Sequence, residues 1–271
     1  MNRVLVTVTD ALLKPLADLP PIASLLLLSL LTAAVVVLVI GRVSDQARVR
    51  QAKRRIQAAL FEIRLFNDDP RTVLRAVGDA LRHNLVYLRL SFVPLAVLSV
   101  PLLLVVAHLH PFYGYAGLRT GAAALLEIEW RADESARRDL PLALDVPDAI
   151  HVEAGPVYLA GGQVLWRFTP VAPGDFIVTV RAGGHAIRKT LAISDAVVRR
   201  SPARVRPGLP GQLVHPSELP LDADGPLSKV AVTYPEADIV VLGTPVHWMF
   251  VYVALTMGWA LGLARALGVS L

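Results

Sequence analysis

Three long uncharged apolar stretches punctuate the chain, at residues 22–40, 90–118 and 239–264. Each supplies the ~20 residues that a helix rising ~1.5 Å per residue needs to cross ~30 Å of hydrocarbon. A core helix of that length would keep one polar face. The pattern therefore predicts three transmembrane helices, over 22–40, 90–111 and 239–264. Pro94 and Pro101 lie within the second, and proline is tolerated in a membrane helix where neighbours satisfy the freed carbonyl.

Between the first two stretches, residues 41–89 change to a helical period of mixed polarity. Val49, Ala52, Ile56, Ala59, Ile63 and Phe66 recur at alternating spacings of three and four, a heptad seam. Ser44 stands where an N-cap is expected, with Asp45 in the first turn. The run stops at Asn67, Asp68, Asp69 and Pro70, where Asp69 and Pro70 fit the N-cap and first residue of a second helix. Leu74, Val77, Leu81, Asn84 and Leu88 repeat the seam and lead into the second span. The expectation is a coiled-coil hairpin of two antiparallel helices over 41–89. Asn84 on a seam reads either as a register-setting polar residue or as a residue with a direct role.

After the second span the period shortens to two. Leu126, Ile128 and Trp130 share one face; Val164, Trp166 and Phe168, then Phe176, Val178 and Val180, and finally Ile187, Leu191 and Ile193 do the same. Turn residues separate these runs at Pro147 and Asp148, Gly161 and Gly162, Pro173 to Asp175, and Gly183 and Gly184. Short strands at this spacing predict an inserted β-sandwich, immunoglobulin-like, over 112–195. Prolines at 202, 207, 210, 216, 220 and 226 read as a linker over 196–238, with a return strand after Val230.

Charge orients this arrangement. Residues 41–89 hold eleven Arg and Lys against five Asp and Glu. A short basic loop between spans belongs on the cytoplasmic side. Residues 1–21 and 112–238 are then extracytoplasmic, and the tail at 265–271 is cytoplasmic, in a multi-pass protein of the cell (inner or plasma) membrane. Arg3 and Lys14 are balanced by Asp10 and Asp18 ahead of the first span, so that stretch reads as an uncleaved helix rather than a signal peptide. The composition agrees: 54% of the residues are hydrophobic, the net charge is +5, and there is no cysteine. Disulfides and thiolate metal sites are excluded.

Certain strings carry a family resemblance. Val43, Ser44, Asp45 and Gln46 follow the first span; Asp68, Asp69 and Pro70 form the turn; the run from Asn84 to Pro94 leads into the second span. The third span adds Trp248, Met249, Phe250, Val251 and Tyr252, and the chain ends Arg265, Ala266, Leu267, Gly268, Val269. In this order they resemble the short, three-span branch of the YidC/Oxa-type insertase superfamily, which includes prokaryotic YidC-like proteins and the insertase subunit of the ER membrane protein complex. The resemblance implies a bundle enclosing a polar groove through which client membrane proteins pass into the bilayer without ATP hydrolysis. It also implies that the hairpin meets ribosomes or clients. Family members carry an arginine well inside a span; here Arg42, Arg89 and Arg265 all lie at the cytoplasmic boundary. They read either as interfacial anchors or as groove-lining residues. Ser24, Ser29, Thr32, Ser99 and Thr256 are polar residues within the spans.

No phosphate loop or catalytic motif is present, so an enzyme is not expected, nor is a cofactor. His108 and His110 form the one pair with metal-ligand spacing, and they read as ordinary interfacial histidines. The arginine-rich face of the hairpin suits either anionic lipid headgroups of the bilayer or a negative partner such as ribosomal RNA or an acidic cytoplasmic protein. Two functions stand: an insertase or chaperone for membrane-protein integration, and a membrane-anchored scaffold whose outer sandwich binds an envelope partner.

Overall fold

The computed structural model describes residues 11, 13–17, 19–66, 68–131, 141–194 and 196–270, except for the side chains at 209 and 213. Asn67 of the expected turn, residues 132–140 of the expected sandwich, and Arg3, Asp10 and Asp18 of the expected outer segment lie outside the described residues.

Along the chain run helices α1 (Pro21–Val43), α2 (Gln46–Leu65) and α3 (Pro70–Tyr113). Strands β1 (Ala124–Trp130), β2 (Leu142–Asp145), β3 (Ile150–Tyr158), β4 (Gln163–Pro170), β5 (Gly174–Ala182), β6 (His185–Ile193) and β7 (Ala203–Val205) follow. After helix α4 (Leu209–Val214) come β8 (Leu227–Val232), β9 (Asp238–Val241), β10 (Thr244–His247) and helix α5 (Trp248–Leu267). The helices α1, α3 and α5 are each long and apolar enough to cross a membrane. Three such helices make this a multi-pass membrane protein with a separate β-rich region. The chain divides into two compact units: Met1–Ser24 with Leu104–Met249, and Leu25–Leu103 with Phe250–Leu271.

In the helical unit, α1 and α5 meet through Ala33, Val37, Ala260 and Ala264. Small residues let two helix backbones approach closely, which is the common basis of helix association in lipid. The end of the chain is tied to α2: Gln46 accepts a hydrogen bond from the Ser270 amide at 2.7 Å. The cap of α2 is Asp45 rather than Ser44, its carboxylate accepting from the Arg48 amide at 3.1 Å. Asp69 does the same ahead of α3, accepting from the Arg71 amide at 3.1 Å and the Thr72 hydroxyl at 2.6 Å.

The hairpin seam departs from expectation mainly on α3. On α2, Val49, Ala52 and Ala59 are buried as read, but Phe66 is exposed. On α3 the expected Leu74, Val77, Leu81, Asn84 and Leu88 are all exposed, while the buried and half-buried positions include Val73, Ala76, Ala80, His83, Tyr87 and Leu90. The heptad spacing is retained, displaced by one residue. Small residues take buried positions on this side of α3, and the bulkier leucines are left outside.

In the other unit, β3-β4-β1-β8-β7 form one antiparallel sheet and β2-β5-β6 a second. One core joins side chains of both, including Leu126, Ile128, Trp166, Phe168 and Val230 from the first and Val178, Val180 and Leu191 from the second. The alternation of each strand places these inward. The segment 196–227, expected as an extended linker, is instead built into this unit. Ala203 pairs with Ala231, and Ser201 and Leu221 are buried. The chain enters and leaves side by side: Tyr115 bridges Glu236, and the Ala116 amide donates to the Pro235 carbonyl at 2.8 Å. Gly117 sits where a Cβ would overlap the Ser194 carbonyl.

Two cations hold the sandwich from within. Arg200 donates to the carbonyls of Tyr115, Ser194 and Ala196 at 2.7–2.8 Å. Lys189, fully buried, donates to the Ser201 carbonyl and at 2.8 Å to Glu218. Burial acts to raise the Glu218 pKa, but the Lys189 ammonium and the hydrogen bonds from Lys189 and Thr190 outweigh it and hold the carboxyl below its usual range. Burial draws the Lys189 pKa down, and Glu218 partly restores it.

The third span also begins later than 239. Residues 238–247 form the β9-β10 hairpin, with Val241 opposite Thr244. Leu242 and Gly243 turn it, at φ of 51° and 83°. Two residues with positive φ match the twist of an antiparallel pair.

Candidate anion-binding cleft

The α2–α3 pair encloses an open cleft of about 990 Å³. This is at the upper end of the ~300–1,000 Å³ common to ligand sites. Arg48, Gln51 and Arg55 of α2 face Asp79, Arg82, His83 and Arg89 of α3 across it, while Val43, Val86, Leu90 and Val93 line its apolar part. The capping residue Asp45 also lies at its wall and pairs with Arg48 at 3.1 Å. Among the described residues, Arg55, Arg82 and Arg89 have no carboxylate partner. Beside the cleft, Lys53 of α2 lies over the Tyr87 ring of α3, 5.3 Å from its centroid.

The heptad phase explains why the arginines converge. With Ala76, Ala80, His83 and Tyr87 turned to α2, Asp79, Arg82, Val86, Arg89 and Val93 fall on the flank beside the contact. Leu90 starts the uncharged stretch of the sequence. Along α3 the lining thus runs from Asp79 and Arg82 through Val86 to Arg89, and beyond it to Leu90 and Val93.

Of the residues singled out from sequence, Arg89 lines this cleft. Arg42 and Arg265 are exposed, Arg265 in the last turn of α5. Ser29 is buried and donates to the Leu26 carbonyl at 2.8 Å. Ser99 is exposed on α3 and donates to the Ala96 carbonyl at 2.8 Å. Thr32 and Thr256 meet through Tyr252: its hydroxyl lies 2.8 Å from the Thr32 hydroxyl, and its carbonyl accepts from Thr256 at 2.7 Å. These hydroxyls therefore satisfy helix carbonyls or join α1 to α5. His108 Nδ1 lies 2.9 Å from the Leu104 carbonyl and His110 Nε2 3.1 Å from the Tyr115 hydroxyl. Among the described residues no three metal-ligating side chains gather.

Sequence reasoning missed Arg48, Arg55, Arg82 and His83 as members of one site. Their i, i+7 spacing, Arg48 to Arg55 and Arg82 to Arg89, was the available signal. Comparison with protein-family models, curated proteins and solved structures gives no match.

Proposed function

We propose that this multi-pass protein assists the integration of membrane proteins, as an insertase or chaperone of the YidC/Oxa type. The observation that carries the reading is the amphipathic α2–α3 cleft, with unpaired arginines at one end and the aliphatic start of a membrane-length helix at the other. A polar flank of a client crosses hydrocarbon only at high cost. Guanidinium groups beside the apolar start of α3 would attract an acidic flank to that point, and the neighbouring aliphatic wall would receive the client's hydrophobic segment. The excess of arginine in residues 41–89 supports a cytoplasmic position for the cleft, in the cell membrane, with the sandwich outside. The seam of α2 and α3 supports a coiled-coil hairpin.

A second reading, an anchored scaffold, is favoured by the strand order of the sandwich. The orders β3-β4-β1 and β2-β5-β6 match the D-E-B and C-F-G arrangement of an immunoglobulin-like fold, with β8 in the place of strand A. Such a module commonly binds a protein partner, here one in the cell envelope.

Reconstitution separates the two. The full chain in liposomes should insert a small client with a short acidic translocated tail, and Arg82→Glu with Arg89→Glu should reduce this most for acidic tails. Insertion no better than with empty liposomes would refute the insertase reading.

A further inference from the structure

The α2–α3 cleft combines two chemistries that one class of small molecule also combines. Its arginines suit a phosphate, since a guanidinium presents paired donors that match phosphate oxygens. Its aliphatic wall of Val86, Leu90 and Val93 continues along α3 into a stretch whose Phe92, Leu95 and Val97 are exposed. A soluble phosphate compound would use the first part and leave the second empty. A phospholipid would use both.

We infer that the cleft holds the headgroup of an anionic phospholipid. Its phosphate lies among Arg55, Arg82 and Arg89, and the upper acyl chain runs against Leu90 and Val93. Arg48 is already committed to Asp45 at 3.1 Å, which leaves the other three for the ligand. Asp79, on the same wall, repels a doubly charged phosphate monoester more than a singly charged diester. This favours a glycerol-type diester headgroup such as that of phosphatidylglycerol. The site is distinct from general attraction of basic loops to a charged membrane, because it requires these arginines and not the hairpin's total charge. It stands whether or not the protein is an insertase.

The test is native mass spectrometry of the full chain, purified in detergent and titrated with phosphatidylglycerol, phosphatidylcholine of the same chains, or glycerol 3-phosphate. Phosphatidylglycerol should remain bound in one-to-one stoichiometry, with the other two retained at least ten-fold less. Arg82→Gln with Arg89→Gln should weaken it about thirty-fold, the change that corresponds to ~1 kcal/mol for each arginine near an anionic headgroup. Arg64→Gln with Arg71→Gln, which removes the same charge from outside the cleft, should leave it unchanged. Arg55→Gln on the opposite wall gives an independent measure should the first pair disturb the hairpin, and it too should weaken binding.

Equal retention of phosphatidylcholine would overturn the inference, as would equal loss in the Arg64 and Arg71 variant. Retention of glycerol 3-phosphate as strong as that of the lipid would identify a soluble phosphate ligand and overturn it also.

Discussion

Replacing Glu218 by Gln tests how the sandwich tolerates its buried cation. Lys189 is fully buried and the Glu218 side chain 14% exposed, with 2.8 Å between them. Glu218 also accepts from the Thr190 amide at 2.8 Å, the Thr190 hydroxyl at 2.5 Å and the Ser201 hydroxyl at 2.8 Å. Gln keeps the shape and can accept from Thr190, but it leaves the Lys189 ammonium without a counter-charge. Breaking a buried pair from one side costs ~3–5 kcal/mol. At ~2–8 °C per kcal/mol for domains of this size class, the midpoint should fall by roughly 10 °C or more. The assay is thermal unfolding of the full chain in detergent, read by hydrogen-exchange protection of β5 and β6. Lys189→Met combined with Glu218→Gln removes the stranded charge and should recover a large part of the loss. The sign with pH follows from the lowered Glu218 pKa. The stabilisation is complete above its ordinary value of 4.5 and is lost as pH falls through the lower folded value. The Gln variant should not show that acid loss. A destabilisation below ~1 kcal/mol, or a double variant no more stable than Glu218→Gln alone, would refute the reasoning.

Two further outcomes are expected. Ala76 is buried in the α3 contact and Leu81 exposed, so Ala76→Asp should expose residues 46–90 to protease while Leu81→Asp leaves their resistance intact; the opposite result would restore the seam read from sequence. Cysteines at Gln57 and Ala160 in this cysteine-free chain should label from opposite sides of the membrane, with Gln57 cytoplasmic, and labelling of both from one side would contradict the three-span topology.

Where one face of an element is decided by a clear contrast, the sequence was easily read. The inward sets of β1, β4, β5 and β6 are largely aliphatic or aromatic, and α1 carries no charge before Arg42 in its last turn. The α3 seam was misplaced because two stripes one residue apart share the same period. Hydrophobicity favours Leu74, Leu81 and Leu88, whereas the structure buries Ala76 and half-buries Ala80, and period alone cannot separate the two stripes. The apolar pattern extends the third span back to 239 because Ile239, Val240, Val241 and Leu242 are as apolar as membrane residues. Gly243 and Pro245 were the available warning. The prolines at 202–226 suggested a linker, yet proline also suits packed irregular segments, and the partners of Arg200 and Glu218 are too distant in sequence to infer. The cleft is not legible as a site: Arg89 stands out in the sequence only as a boundary or groove residue, and its neighbours in the cleft are set by the phase of two helices, which the stripe of leucines obscures.

The interior place of β8 in its sheet has a consequence for the order in which this protein can be made. It pairs with β1 on one side and β7 on the other, and its Lys229 meets Glu129 from 100 residues away. Until residues 227–232 have been synthesised and have reached the sandwich, β1 and β7 carry open edges of the kind that recruit other strands. Pairings so distant in sequence form slowly. The sheet therefore cannot close before residues 227–232 are made, shortly ahead of α5, so maturation of the β-rich unit and delivery of that membrane helix fall in the same interval of synthesis.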